Sequence, residues 1–427
     1  EAGAAKEGSG LLRHAVRLGG ATGLSHVLVL LAAPFVTRLY TPKDFGDFGI
    51  IVSFAAMTSV AVSLRYDFAI PTARTDEEAA VLLRVSLALA LPMSCVLAAS
   101  MFGLQLAHIE PFVGLPKWSA LVVAPMLIVL GCVSALRLWC VRESNFDAVA
   151  RALLAQGVGR AILPIALAHT ISGFLGLAVA ELVGRSLGVV SMLRAMLRRI
   201  TPLRRGETHA SAIARRHRKF PLIVLPSSLV DAIGTSLPLF IVGALYGQSM
   251  AGQFVLVSQV AMVPGALIGA TIGDIFYSEF ARATRTEKAA VATILSQYAR
   301  RLAAISVTIY VVSALLAPIA FPFVFGEEWR TAGKLFILLA PYLALSLLAS
   351  PLSRALLAVN HQELKFAIDA MLLIFPPLTL WALREKSTIV AFGGYSLANA
   401  CVYAVYLLLI FWAVRKWLRD SSSKIAD

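Results

Sequence analysis

Long apolar runs dominate this chain, and their length is its strongest constraint. Runs broken by charge or by Gly and Pro clusters lie at about 18–37, 45–64, 79–104, 119–139, 150–169, 172–193, 220–244, 249–272, 294–321, 332–351, 364–383 and 389–414. About 20 apolar residues of α-helix cross a bilayer core, so the pattern predicts twelve spanning helices. Transmembrane β-strands would alternate apolar and polar residues over about 10 positions. These runs do not alternate and are rich in Leu, Ala and Val. The expected fold class is an all-α polytopic membrane protein. Only 15% of the 427 residues are charged, against roughly 25% in a soluble domain. Soluble enzymes are thereby excluded.

The formal net charge of +14 would suggest nucleic acid in a soluble chain, but its distribution points to the bilayer. Assigned to connections and span mouths, 29 of the 38 Lys and Arg residues fall on the side that holds both termini and seven on the other. Arg160 and Arg185 are left within spans. This is the positive-inside bias, which places both termini in the cytoplasm. No nucleic-acid partner is needed to explain the charge. The basic connection around 194–219, with nine Lys and Arg residues, is expected to lie on anionic headgroups of the lipid bilayer.

That connection leaves six runs on either side. The expected organisation is an N-terminal lobe at 1–198, a basic linker at 199–219 and a C-terminal lobe at 220–427. An internal repeat supports it. LYTPKDFGDF after the first run and LYGQSMAGQF after the seventh match at Leu39/Leu245, Tyr40/Tyr246, Gly46/Gly252 and Phe48/Phe254, a constant offset of 206. Six crossings restore direction, so two parallel six-helix bundles about a central cavity are expected.

Charges inside spans are costly, and each is a candidate for function. The set comprises Arg160, Glu181, Arg185, Asp231 and Asp369, with His26 as a further titratable group. Glu181 and Arg185 stand at i and i+4 and can pair on one helix face. Asp231 has only Ser227, Ser228, Gly234 and Thr235 around it on its own helix, so it must reach another helix, a cation or water. Asp369 can pair with Lys365. Arg13, Arg17, Arg65, Arg160 and Arg185 suit an anionic substrate, because guanidinium forks match phosphate oxygens. Asp231, Glu181 and His26 are the candidates for coupling to a proton or sodium ion.

Cys95, Cys132, Cys140 and Cys401 sit in apolar runs with no metal-ligand spacing. No metal and no cofactor is expected. A Walker A loop is absent, and no hydrolase motif is found, so an enzyme is not expected. The loops on the sparsely basic side are short, which disfavours a membrane polymerase or ligase.

PFVTRLYTPKDFGDFGIIVSF and SLRYDFAIPTARTDEEAAVLLRVSL resemble the N-terminal signature of the polysaccharide transporter family, the Wzx-type O-antigen and exopolysaccharide flippases. The resemblance rests on Pro34, Arg38, Tyr40, Pro42, Phe45, Gly46, Arg65, Tyr66, Asp67, Ala69, Ile70, Glu77 and Glu78. It implies two six-helix lobes and alternating access. The implied substrate is an undecaprenyl-diphosphate-linked oligosaccharide moved to the periplasmic leaflet of a bacterial inner membrane, coupled to an ion gradient. A polysaccharide polymerase and a chain-length regulator are the implied partners. A multidrug or organic-cation antiporter of the same superfamily is the alternative.

Overall fold

A computed structural model describes the backbone of residues 2–197 and 210–426, and their side chains except at 2–18, 266, 269–271 and 421–426. The described residues are mostly helical and contain no strand. Most of the 199–219 linker therefore lies outside the described residues. Contacts divide the chain into two compact units, Glu1–Val255 and Leu256–Asp427.

The first unit holds α1 (Ala2–Leu39), α2 (Pro42–Val62), α3 (Asp76–Leu106), α4 (Ser119–Arg142), α5 (Phe146–Leu167), α6 (Phe174–Leu197), the short α7 (Ala210–Arg216) and most of α8 (Leu225–Pro264). Local sequence sets the helix starts. Thr41 caps α2 through a reciprocal box: its Oγ1 accepts from the Asp44 N–H at 3.2 Å, and Asp44 Oδ2 accepts from the Thr41 N–H at 3.0 Å. Pro42, with its φ already helical and no N–H to leave unpaired, fills the first turn. Thr75 caps α3 by accepting from the Glu78 N–H, with Asp76, Glu77 and Glu78 favourably placed in that turn.

Among the described residues, eleven helical segments are long and apolar enough to cross a membrane, which makes this a multi-pass membrane protein. One of them, Phe220–Pro264, has 45 residues. As a straight helix it would extend about 68 Å, more than twice the roughly 30 Å of hydrocarbon. Gly247 interrupts it at φ 80°, ψ 170°, a backbone state that glycine reaches without a Cβ penalty. The two arms so formed are the seventh and eighth expected spans. Gly247 stands 206 residues after Thr41, so the second turn falls where the repeat predicts it.

The repeat also meets itself in space. A Cβ on Gly46 would run into the carbonyl oxygen of Gln248, and a Cβ on Gly252 into that of Pro42. A Cβ on Gly49 would stand 2.6 Å from Cγ2 of Val255. Pro42/Gln248, Gly46/Gly252 and Gly49/Val255 are all repeat mates at the offset of 206. Thus α2 and the second arm of α8 cross about a local two-fold axis, and glycine permits their backbone contact. Next to the crossing, the Phe112 ring lies 5.6 Å from Phe54 and 5.5 Å from Phe240.

The second unit contains the last turns of α8, then α9 (Ala270–Thr286), α10 (Lys288–Phe325), α11 (Arg330–Leu352), α12 (Arg354–Ala358), α13 (Gln362–Ala382) and α14 (Thr388–Ala426). Of these, α9 is amphipathic. Phe276, Phe280 and Ala283 are buried along one face, while Asp274, Ser278 and Glu279 are exposed. Val291, Leu295, Ile368, Ile410 and Val414 complete that core. Leu315, Ile319 and Phe323 form an outward stripe on α10, each more than 70% exposed. Leaving such side chains in water forfeits about 1.5–3 kcal/mol apiece, and lipid removes that penalty.

Candidate functional site

Three of the five charged residues predicted within spans, Arg160, Glu181 and Arg185, converge in the first unit. On α5, the sequence QGVGR places Gly157 and Gly159 one and a half turns or less from Arg160; on α6, VGRSLG places Gly184 and Gly188 around Arg185. A Cβ on Gly159 would lie 2.7 Å from the Gly184 Cα, and one on Gly184 would lie 3.0 Å from the Arg160 N. The two helices therefore touch backbone to backbone. That approach carries Arg160 to Glu181.

Glu181 is 4% exposed and accepts from both guanidinium groups. Arg160 Nε–H donates to Oε2 at 2.6 Å, and Arg185 Nε–H donates to Oε1 at 2.5 Å. Both bonds use Nε, so the forked NH2 groups of each arginine are left over from the pairing with Glu181. Their side chains are 28% and 24% exposed. Two cations and one anion leave an excess positive charge in a span, which is suited to an anion that can accept from planar forks.

The third helix of this cluster is α1. Ser25 Oγ donates to the Leu153 carbonyl at 2.7 Å, while Gly157 leaves room for the Ser25 side chain. His26 is thereby held within the electrostatic reach of Arg160. Arg13 and Arg17 also lie on α1, but their side chains are outside the described residues.

A second group forms at the end of α2 opposite Thr41. Arg65 has φ 61°, in the left-handed region, and its guanidinium lies 4.4 Å above the Phe68 ring. Its Nε is buried and makes no hydrogen bond among the described residues. Burial pulls the Arg65 guanidinium below its ordinary pKa, and the charges of Asp67 and Asp231 push it back up. Asp67 is 1% exposed and accepts from Ser63 Oγ at 2.7 Å and Ser134 Oγ at 2.5 Å. Asp231, on the first arm of α8, is exposed. Its charge acts on Arg65 across 166 positions of sequence, without an ion pair between the two. Asp369 is paired with Lys365 at 2.6 Å on α13, as their spacing predicts.

Two groups escaped the sequence reading. Glu78 is a buried acceptor for the Arg74 N–H at 2.8 Å and for His217 Nε2 at 2.9 Å, with Arg216 at 3.5 Å. His217 lies just beyond α7, so α3 receives the far end of the linker. Tyr66 adds a bond from its hydroxyl to the Ala214 carbonyl at 3.3 Å. Asp47 is 5% exposed, and its Oδ1 is buried without a hydrogen-bond partner among the described residues. The sequence signal for Asp47 is its proximity to Gly46 in the repeated turn. No group of three or more His, Cys, Asp or Glu residues suited to a metal occurs among the described residues.

Residues 35–334 match the sequence model of a family described as Polysaccharide biosynthesis protein. The teichuronic acid biosynthesis protein TuaB of Bacillus subtilis (strain 168) is 25% identical over 199 residues, which are 47% of this chain and 39% of TuaB. The chain thus matches well under half the length of that relative. Among solved structures, a MOP superfamily transporter of Pyrococcus furiosus, described by a binding pocket of reversed polarity, superposes with a TM-score of 0.64 at 16% identity, covering 95% of this chain and 96% of that one. An inward-facing multidrug resistance MATE family transporter of the same superfamily gives 0.62 at 14% identity, covering 94% and 95%. These structural likenesses establish the fold.

Proposed function

The chain belongs to the polysaccharide biosynthesis protein family, and from that premise we propose that it flips undecaprenyl-diphosphate-linked oligosaccharide from the cytoplasmic to the periplasmic leaflet by alternating access. The observation that carries this reading is the Arg160–Glu181–Arg185 cluster, with one positive charge in excess and two guanidinium forks left over. A diphosphate presents acceptor oxygens at the spacing those forks bind. The prenyl chain can stay in lipid, where transfer costs it nothing. In this reading Glu181 sets the spacing of the arginines, and Arg65, Arg13 and Arg17 serve the headgroup nearer the basic end.

The basic end is the cytoplasmic one in this proposal, with both termini there and the chain in a bacterial inner membrane. Asp231 takes the role of coupling to a proton or sodium gradient, since it faces out of its helix and shares a field with Arg65. His26, beside Arg160, senses substrate charge through that arginine. An organic-cation antiporter is disfavoured by the sign of the buried cluster, which repels a cation. Kinship with a teichuronic acid biosynthesis protein accords with a polysaccharide precursor as cargo. A polymerase and a chain-length regulator would act on the product after transfer.

The test is export. Arg160→Ala and Asp231→Ala should each abolish surface glycan in a strain lacking its own copy, while the protein still inserts at wild-type abundance. Wild-type export by either variant overturns the role assigned to that residue.

A further inference from the structure

Gly184 and Gly188 stand one turn apart on α6, and each seats a side chain of α5. A Cβ on Gly184 would lie 3.1 Å from Cγ of Arg160, and one on Gly188 would lie 2.1 Å from Nε2 and 2.7 Å from Cγ of Gln156. Gln156 and Arg160 are likewise one turn apart, so the two side chains cross α6 side by side on consecutive rungs. Glu181, Gly184, Arg185 and Gly188 fall within about 100° of the circumference of α6, which puts the seat of Gln156 on the face that carries the paired charges. The outward faces of the two helices lie elsewhere, at Val158 and Ile162 on α5 and at Val183 and Leu187 on α6, all exposed.

Gln156 is 9% exposed, yet its carboxamide makes no hydrogen bond among the described residues. Gln105, 7% exposed, shows what a buried glutamine does when its task is structural. Its Nε2 donates to Ser119 Oγ at 3.1 Å and to the Pro116 carbonyl at 3.2 Å, which pins the intervening loop. Burial without such partners costs a carboxamide free energy, and methionine would fill the seat on Gly188 with no polar group to strand. The polar end of Gln156 therefore calls for a partner from outside the chain.

The chemistry of that partner follows from the groups around it. Arg160 and Arg185 only donate, and an ionised diphosphate only accepts. A carboxamide does both, through its NH2 group and its oxygen. Beside a bare diphosphate that oxygen would be stranded, so it needs an O–H or N–H on the ligand. A sugar bonded through oxygen to the distal phosphorus supplies such groups. The step from Arg160 to Gln156, about 5–6 Å between Cβ atoms, matches the step from phosphate to sugar ring.

We propose that Gln156 is a specificity-determining residue of the Arg160–Arg185 site, its carboxamide exchanging hydrogen bonds with a hydroxyl or acetamido group on the sugar attached to the diphosphate. The proposal deepens the flippase reading and rests on it. The arginines hold what every such lipid shares, and Gln156 holds what only a glycosylated one carries. An unloaded carrier lipid is thereby bound less well than a loaded one, by about tenfold for two hydrogen bonds.

Native mass spectrometry of the full chain tests this by competition. Bare undecaprenyl diphosphate is paired at equal concentration with undecaprenyl diphosphate bearing N-acetylglucosamine, and separately with the lipid bearing galactose, so that acetamido and hydroxyl ligands are distinguished. In the wild type at least one sugar-bearing lipid should exceed the bare lipid about tenfold. Gln156→Met, of equal length and without a strong donor or acceptor, should level that ratio; Gln156→Leu gives the same reading if the first variant folds poorly. A wild type that binds all three lipids alike defeats the Gln156 inference alone. So does either variant keeping the wild-type ratio, including one that binds every lipid more weakly by the same factor, which is the mark of a structural role. A wild type that binds none of the three defeats the flippase reading itself, and the inference with it.

Discussion

Arg160 on α5 donates its Nε–H to Glu181 on α6 across 2.6 Å, and this bond depends on the glycines that let the two helices touch. Glu181 is shared with Arg185, so the three side chains form one electrostatic unit. Removing the anion should therefore cost more than removing either cation. Glu181→Ala leaves two guanidinium groups facing one another without compensation, a change worth about 3–5 kcal/mol for buried pairs. Arg185→Ala leaves a neutral Arg160–Glu181 pair and should be milder. Thermal unfolding in nanodiscs compares them directly, and a Glu181→Ala variant as stable as Arg185→Ala would show that the three do not act as a unit.

The crossing of α2 and α8 predicts a contrast between glycines. At Gly252 an added methyl meets the backbone carbonyl of Pro42, which cannot rotate away. Gly252→Ala should destabilise by about 1–3 kcal/mol, as overpacking does. Gly103, on α3, has nothing within 4 Å of an added Cβ. There alanine should stabilise the helix by about 0.5–1 kcal/mol. Melting temperatures that move the same way for both substitutions would contradict the crossing geometry.

Thr41 offers a local test at the turn of the repeat. Its side chain and that of Asp44 satisfy one N–H each, and Thr41→Ala leaves both without that box. The expected loss is about 0.5–2 kcal/mol. Hydrogen exchange should rise first in the opening turn of α2, near Asp44 and Phe45, while the interior of the helix keeps its protection. Unchanged exchange there would mean that the cap contributes nothing measurable.

Spans were legible because a bilayer reads only length and apolarity, and twelve runs met that demand whatever their packing. The break at Gly247 was legible as a repeated turn, since Leu245, Tyr246 and Gly252 copy Leu39, Tyr40 and Gly46. The Glu181–Arg185 pair followed from helical spacing. Arg160 could not be joined to them in sequence, because 21 positions and an intervening loop separate it from Glu181, and only the fit of Gly159 against Gly184 brings it there. Gly46 and Gly252 were visible as identities, yet their physical role emerges only where each meets the carbonyl of the other's neighbour. Asp47 falls at the edge of the second apolar run, and one strand of text cannot show which acid a helix buries.

The bond between His217 and Glu78 predicts how firmly the end of the linker is held. His217 approaches Glu78 Oε1 at 2.9 Å, and Tyr66 bonds to the Ala214 carbonyl. Together they dock α7 against the start of α3. A hydrogen bond to a charged group is worth about 1.5–3 kcal/mol, and 1.4 kcal/mol is tenfold in an equilibrium. His217→Ala should therefore raise the undocked population about tenfold or more. Trypsin cleavage after Arg215, Arg216 and Arg218 reads that population directly when redocking outpaces cutting. Glu78→Ala should accelerate cleavage further, because it also removes the acceptor for the Arg74 N–H. Cleavage of both variants at the wild-type rate would show that α7 is held by other contacts, such as the bond from the Tyr66 hydroxyl to the Ala214 carbonyl.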